Sequence, residues 1–224
     1  MTRFVSPRRN LPRTSAKAPA AAFRVRIALN LKNLDYDNAF IHLRRGEQSA
    51  DSFRALNPQG LVPALADDGR LLTQSLAIIE YLEETRPIPP LLPPDPAGRA
   101  RVRALALAVA CDIHPLNNLR VLNYLKGPLK LTAEQETAWY RHWIKTGFDA
   151  IEAMLADPAT GAFCHGGRPS LADVCLVPQI FNAKRYYSDG EFKAWPRIGA
   201  VFGACMRLPA FDLAQPSKQP DAEA

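Results

Sequence analysis

The chain has 224 residues, enough for one large domain or two small ones with a real hydrophobic core. Hydrophobic residues make up 47% and charged residues 22%, which excludes collagen, coiled coil and bulk disorder, and no apolar run approaches the roughly 18 residues of a membrane span. The net charge of +6 suggests an acidic partner such as nucleic acid until it is located: residues 1–26 carry seven basic groups and no acid, and the remaining chain carries 21 basic against 22 acidic groups.

The first 22 residues therefore read as a basic tail. They lack a continuous apolar stretch of secretory type, and Pro7, Pro12 and Pro19 interrupt any amphipathic targeting helix. Arg3 to Ser6 is the only strand candidate within them. From Phe23, the run FRVRIALNLKNL places Phe23, Ile27, Leu31 and Leu34 at helical spacing with basic residues between them, which predicts an amphipathic helix. Residues 36–43 are a short strand candidate, and the polar stretch 44–58 should hold a short helix. Two apolar runs around Asp67-Asp68-Gly69 predict a β-hairpin, and SLAIIEYLEET a helix that closes a mixed α/β domain over 23–86.

Residues 86–96 contain six prolines and cannot be helix or central strand, so a stiff linker is expected over 87–95. An all-helical domain over 96–215 follows, with a tail at 216–224. Asp95-Pro96 supplies an N-cap and a proline at the first helical position for a long helix bent near Pro115. Thr132 with Gln135 and Ser170 with Asp173 form capping-box patterns for two more helices, and Pro196 opens a last one through Met206.

Cys111, Cys164, Cys175 and Cys205 form no CxxC pair and read as reduced thiols of a cytoplasmic protein. The four histidines lack metal-ligand spacing, and no phosphate-cradling or nucleophile-elbow motif is present, so neither a metal nor a nucleotide is expected. The informative stretch is 61–75. Pro63 beside a strand implies an edge, a bulge or a cis peptide, any of which frees neighbouring backbone to pair with an extended peptide. Gln74-Ser75 then starts a helix whose unpaired N–H groups suit a carboxylate. On residue chemistry alone, Ser75 as a simple cap and Pro63 as a simple turn is the favoured reading, with the binding role as the alternative.

The segments FRVRIALNLK, LNPQGLVPAL, LTQSLAIIEYLEETRP, LLPPDPAGRARVRALAL, DIHPLNNLRVLNYL and SLADVCLVPQIFNAKRY, in this order, resemble the zeta class of glutathione transferases. Within that class they are most similar to bacterial maleylacetoacetate isomerases, then maleylpyruvate isomerases. The resemblance implies a thioredoxin-like domain joined to an all-helical domain, a homodimer, glutathione as cofactor, and neither nucleic acid nor membrane as partner. The implied reaction is cis–trans isomerisation of a maleyl keto acid, maleylacetoacetate to fumarylacetoacetate, in aromatic amino-acid catabolism. Glutathione-dependent conversion of small α-halo acids and glutathione binding without turnover are the alternatives.

By the same resemblance, Val62 beside a cis Pro63 pairs with the cysteinyl backbone of glutathione, Gln74 and Ser75 hold its γ-glutamyl carboxylate, and Gln48 lies near its glycine end. His114, Asn117 and Asn118 belong to a cofactor-approaching segment of the helical domain. Arg185, and Arg120 in the maleylpyruvate branch, suit substrate carboxylates, since a guanidinium forks onto a carboxylate bidentately. The departure is equally specific. The family's serine and cysteine cluster before the first helix falls on Pro19, Ala20, Ala21 and Ala22, with the catalytic serine position at Ala20. Three readings stand open: a replaced chain start, a hydroxyl supplied by Ser6, Thr14 or Ser15, or a homologue that lowers the thiol pKa with the helix dipole and Arg24.

Overall fold

The computed structural model describes residues 20–39, 41 and 43–219, together with the backbone of 3–5. Contacts group the chain into two units, one of Met1–Leu91 with Pro209–Ala224 and one of Leu92–Leu208.

The first unit opens with β1 (Arg3–Val5), followed by α1 (Ala20–Leu31), β2 (Asp37–Ala39), α2 (Asp51–Arg54), β3 (Ala64–Asp67), β4 (Arg70–Thr73) and α3 (Ser75–Thr85). The sheet order is β2-β1-β3-β4. β1 runs parallel to β2 and antiparallel to β3, with Phe4 opposite Asn38 on one side and Leu65 on the other. A β-α-β crossover followed by a β-hairpin and a helix is the thioredoxin-like arrangement. The strand sought at Arg3 to Ser6 is present as Arg3–Val5. The expected tail boundary at residue 22 is corrected, because β1 and the first turn of α1 lie before it.

The hairpin forms where the sequence places it. Asp67 faces Arg70 across the turn, and Asp68 and Gly69 both have positive φ, 47° and 77°, which matches the right-handed strand twist. Asp67 is 1% exposed and joins the hairpin to the end of α3, through Arg86 Nη2 at 2.8 Å and the Tyr81 hydroxyl at 3.1 Å.

The amphipathic reading of α1 needs correction. Arg24 and Arg26 are each 2% exposed, as buried as Phe23, Ile27 and Leu29. The helix is covered on a second side by chain from the far C-terminus: α10 (Pro209–Asp212) packs on it, Arg26 Nε donates to the Ala214 carbonyl at 3.0 Å, and Asn30 Nδ2 to that of Ala210 at 3.0 Å. Residues 209–215, expected in the helical domain, thus pack within the first unit. The core between α1 and α3 is Val25, Ile27, Leu29, Ile78, Ile79 and Leu82.

The second unit holds α4 (Pro96–Leu107), α5 (Leu119–Lys126), α6 (Ala133–Met154), α7 (Leu171–Ala183), α8 (Asp189–Phe192) and α9 (Pro196–Met206). The caps behave as their sequences dictate. Asp95 accepts from Gly98 N at 2.7 Å, and Thr132 with Gln135 and Ser170 with Asp173 both close capping boxes. The long helix expected past Pro96 is interrupted. It widens to a π turn at Ala108–Ile113, tightens to a 3₁₀ turn at His114–Asn117, and restarts as α5 with Asn118 as N-cap. Pro115 lacks an N–H and crowds the carbonyl four residues earlier, so the regular ladder fails one turn before it.

Candidate active site

In the first unit, the predicted site residues converge on the loop 57–62. Asn57 is 2% exposed and organises it: its Nδ2 donates to the Leu61 carbonyl at 2.6 Å, its Oδ1 accepts from Gln59 N at 3.2 Å, and its carbonyl from Gly60 N at 2.9 Å. Gly60 sits at φ 62°, and a Cβ there would come to 3.0 Å from the Gln48 carbonyl oxygen, so the loop and the 3₁₀ turn Glu47–Ser49 approach closely only because that side chain is missing. The loop delivers the Val62-Pro63 peptide, which is cis, directly into β3. Among the described residues, no backbone partner pairs with the Val62 main chain.

At the end of β4 the chain turns through Gln74, at φ 67°, into α3. No side chain caps this helix, whose first internal bond runs from Ile78 N to the Gln74 carbonyl at 2.9 Å. The N–H groups of Ser75, Leu76 and Ala77 therefore precede the hydrogen-bonded ladder, at the positive end of the helix dipole. The Ser75 hydroxyl, in a residue 6% exposed, accepts from Arg24 Nη1 at 3.5 Å, which adds a guanidinium beside that helix start. Gln74 Nε2 donates to Gln59 Oε1 at 2.5 Å, tying the helix start to the loop. Gln48 Oε1 is buried with no partner among the described residues. An uncapped helix start, a guanidinium, an unpaired backbone edge and an orphan amide oxygen are groups whose chemistry suits a short peptide bearing a carboxylate.

Ala20, at the family's serine position, is the first residue of α1 and is 2% exposed. Ser6, Thr14 and Ser15 lie outside the described residues. Arg24, expected as a thiolate helper, has one terminal nitrogen, Nη1, on the Ser75 hydroxyl.

In the second unit, His114 and Asn117 stand on the 3₁₀ turn before α5. Asn117 is 8% exposed, its Nδ2 donates to the Tyr140 carbonyl at 3.4 Å, and its Oδ1 is buried without a partner among the described residues. Asn118 Oδ1 accepts from Val121 N at 3.0 Å, so its oxygen caps α5. Arg120, on the first turn of α5, is exposed, and so is Arg185, on the turn after α7. Sequence reasoning missed Asn57, Gly60 and Gln59. The local signal for the first two was the Asn-Pro-Gln-Gly turn, whereas the Gln59–Gln74 bond joins residues fifteen apart and had none. Among the described residues, no group of three or more His, Cys, Asp or Glu could hold a metal, and no helix is long and apolar enough to cross a membrane.

Two family models match the chain: the glutathione S-transferase N-terminal domain over residues 20–85 and the C-terminal domain over 137–204. A probable maleylacetoacetate isomerase of Vibrio cholerae is 50% identical over 205 residues, covering 91% of this chain and 94% of that protein. Among solved structures, a holo maleylpyruvate isomerase described as a bacterial zeta-class glutathione S-transferase superposes with a TM-score of 0.91 at 46% identity, covering 98% of this chain and 99% of that one. The maleylacetoacetate isomerase of Methylobacterium extorquens AM1, solved with malonate and glutathione bound, gives 0.90 at 42% identity, covering 99% and 100%.

Proposed function

This chain belongs to the zeta class of glutathione transferases, and from that premise we propose that it is a glutathione-dependent cis–trans isomerase converting maleylacetoacetate to fumarylacetoacetate in aromatic amino-acid catabolism. The observation that carries the proposal is the intact cradle of cis Val62-Pro63, uncapped α3 and buried Ser75, in a chain half identical to the Vibrio cholerae relative across nine-tenths of its length.

The residues present fit glutathione. Val62 offers its N–H and C=O to the cysteinyl backbone, Ser75 its hydroxyl and N–H to the γ-glutamyl carboxylate, and Gln74 and Gln48 polar contacts at the two ends. Arg24, donating to Ser75, places a second positive group at the carboxylate end. When bound, glutathione supplies a thiol whose reversible addition to the conjugated cis double bond permits rotation to the trans isomer. In the helical unit, Asn117 presents its buried Oδ1 to an N–H donor of the cofactor, with His114 and Asn118 on the same segment. Arg185, with Arg120, holds the substrate carboxylates as forked ion pairs, which fixes the alkene in place and neutralises charge. Malonate, bound with glutathione in the Methylobacterium extorquens relative, is likewise a dicarboxylate.

Ala20 cannot donate a hydrogen bond to a thiolate, so ionisation of the cofactor falls to the N–H groups and dipole at the start of α1. The enzyme is proposed to work as a homodimer in the cytoplasm, a compartment in keeping with Cys164, Cys175 and Cys205, which are buried and form no disulfide.

The deciding experiment is an isomerase assay on maleylacetoacetate and maleylpyruvate with and without glutathione, run beside a variant in which residues 19–22 are restored to a serine-containing cluster. The expected result is strictly glutathione-dependent turnover that rises in the restored variant. Ala20 favours one second reading, a glutathione-binding homologue without turnover. It is distinguished by retention on immobilised glutathione, lost in Ser75→Ala, with no isomerisation of either substrate.

A further inference from the structure

The turn that carries Arg185 is fastened by two consecutive residues of a different helix. On α6, the ring of Tyr140 stacks on that of Tyr186, with centroids 3.8 Å apart and planes 15° from parallel. Tyr140 is 4% exposed, and burial pushes its hydroxyl well above the ordinary range, as expected of a ring that stays neutral and packed. Its carbonyl accepts from Asn117 Nδ2 at 3.4 Å.

The next residue, Arg141, holds the same turn by its main chain. Arg141 Nη1 donates to the Tyr186 carbonyl at 2.5 Å, its guanidinium lies 4.2 Å from the Tyr187 ring centroid, and the Tyr187 hydroxyl donates back to the Arg141 carbonyl at 2.7 Å. Its other terminal nitrogen pairs with Glu191, whose carboxylate also accepts from Ser188 N and Ser188 Oγ, both at 2.8 Å. The two residues that follow the exposed Arg185, Tyr186 and Tyr187, are thus fixed to two consecutive residues of α6. A turn that only ended α7 would need no such set: its backbone is already closed by Arg185 N to the Asn182 carbonyl and Tyr186 N to the Ala183 carbonyl.

We propose that Tyr140 and Arg141 are positioning residues that preset the backbone from which Arg185 reaches the substrate carboxylate. Tyr140, through Asn117, ties the same helix position to the cofactor-side segment. The inference rests on the substrate role of Arg185 given under the proposed function. A long arginine on an unrestrained turn loses conformational freedom on binding each substrate, and that loss falls on substrate affinity. The clamp should therefore show in KM, with the chemical step and glutathione binding spared.

The test compares Arg141→Met, Tyr140→Leu and Tyr140→Phe, each alone and with Arg185→Ala, in the full-length protein. KM and kcat for the maleyl keto acid are read at saturating glutathione, and the glutathione Kd separately. Arg141→Met and Tyr140→Leu should raise KM roughly tenfold, the order expected when a positioned group is loosened, with kcat and the glutathione Kd unchanged. Tyr140→Phe, which keeps the ring stack, should restore KM. In the Arg185→Ala background the same changes should add nothing to KM. If Arg185→Ala raises KM while Arg141→Met and Tyr140→Leu leave it unchanged, or if their effect persists in that background, the clamp plays no positioning part. If Arg185→Ala itself leaves KM unchanged, the substrate role of Arg185 fails, and this inference with it. The Arg141 side chain is 38% exposed, so Arg141→Met decides the matter even if Tyr140→Leu fails to fold.

Discussion

Lys32 closes the first unit from inside, and replacing it with methionine gives a worked test of that architecture. Its Nζ contacts Glu83 Oε2 at 2.7 Å, the Arg86 carbonyl at 2.8 Å and the Pro89 carbonyl at 3.1 Å, so all three ammonium protons are used. The Lys32 side chain is 0% exposed and that of Glu83 10%. Glu83 in turn accepts from Leu91 N at 3.0 and 3.1 Å, so one buried pair fixes the end of α1, the end of α3 and the proline-rich segment together. Lys32→Met fills nearly the same volume but strands a buried carboxylate, a loss of about 3–5 kcal/mol for breaking a buried pair from one side. The Leu91 N–H remains on Glu83, which places the expected value at the lower end, about 3 kcal/mol. For a chain of this size that is a fall of roughly 6–12 °C in the unfolding midpoint. Adding Glu83→Leu removes the stranded charge, so the double variant should be more stable than Lys32→Met alone, recovering about 1–2 kcal/mol. Urea unfolding followed by circular dichroism reads all three proteins. A single-variant loss below about 1 kcal/mol, or a double variant no better than the single, would refute the reasoning.

Three further outcomes test the site and its support. Gly60→Ala must hold a side chain at φ 62° and 3.0 Å from the Gln48 carbonyl, so it should cost about 1–2 kcal/mol and raise the glutathione Kd, measured by calorimetry; an unchanged Kd would remove loop 57–62 from the cradle. Asp173 is fully buried and accepts from Cys164 N, Ser170 N and Ser170 Oγ, each at 2.8 Å, so Asp173→Ala leaves buried donors unpaired and should cost roughly 3 kcal/mol by chemical denaturation, with a loss near zero contradicting the cap. Glu191 is held down to about 2, by Arg141 first and then by Ser188, from an ordinary value of 4.5. Its folded pKa lies below its unfolded one, so the stabilisation it brings is complete above 4.5 and is lost as pH falls towards 2. An NMR titration of its side chain should show the low midpoint in the native protein and a rise in Arg141→Met, and a native midpoint at 4.5 would contradict the clamp.

The parts legible in the sequence are those decided within a few residues. Asp68-Gly69 specifies a turn because positive φ is a local demand, and Asp95, Thr132 and Ser170 start helices because each side chain reaches a backbone N–H three residues on. Val62-Pro63 and Gln74-Ser75 were legible as candidate contacts for an extended peptide and a carboxylate for the same reason, since both depend on local backbone conformation. Chemistry of that range leaves open whether they act as a site or as a plain turn and cap, and the proposed cofactor role rests on the resemblance to relatives, carried by motifs spread along the chain.

What only the tertiary structure decided involves residues far apart in the chain. Arg24 and Arg26 look like the wet face of α1, but Arg24 is buried against the start of α3 and Arg26 under the chain at Ala214, and no periodicity within α1 contains that information. The same holds for the Lys32–Glu83 pair, 51 residues apart, and for the hold of Tyr140 and Arg141 on the Arg185 turn, some 45 residues away. The excess positive charge of the opening segment is a property of composition, and the sequence alone located it. Burial is set by whichever distant chain arrives to exclude water, so which of those charges became structural was a decision of the fold.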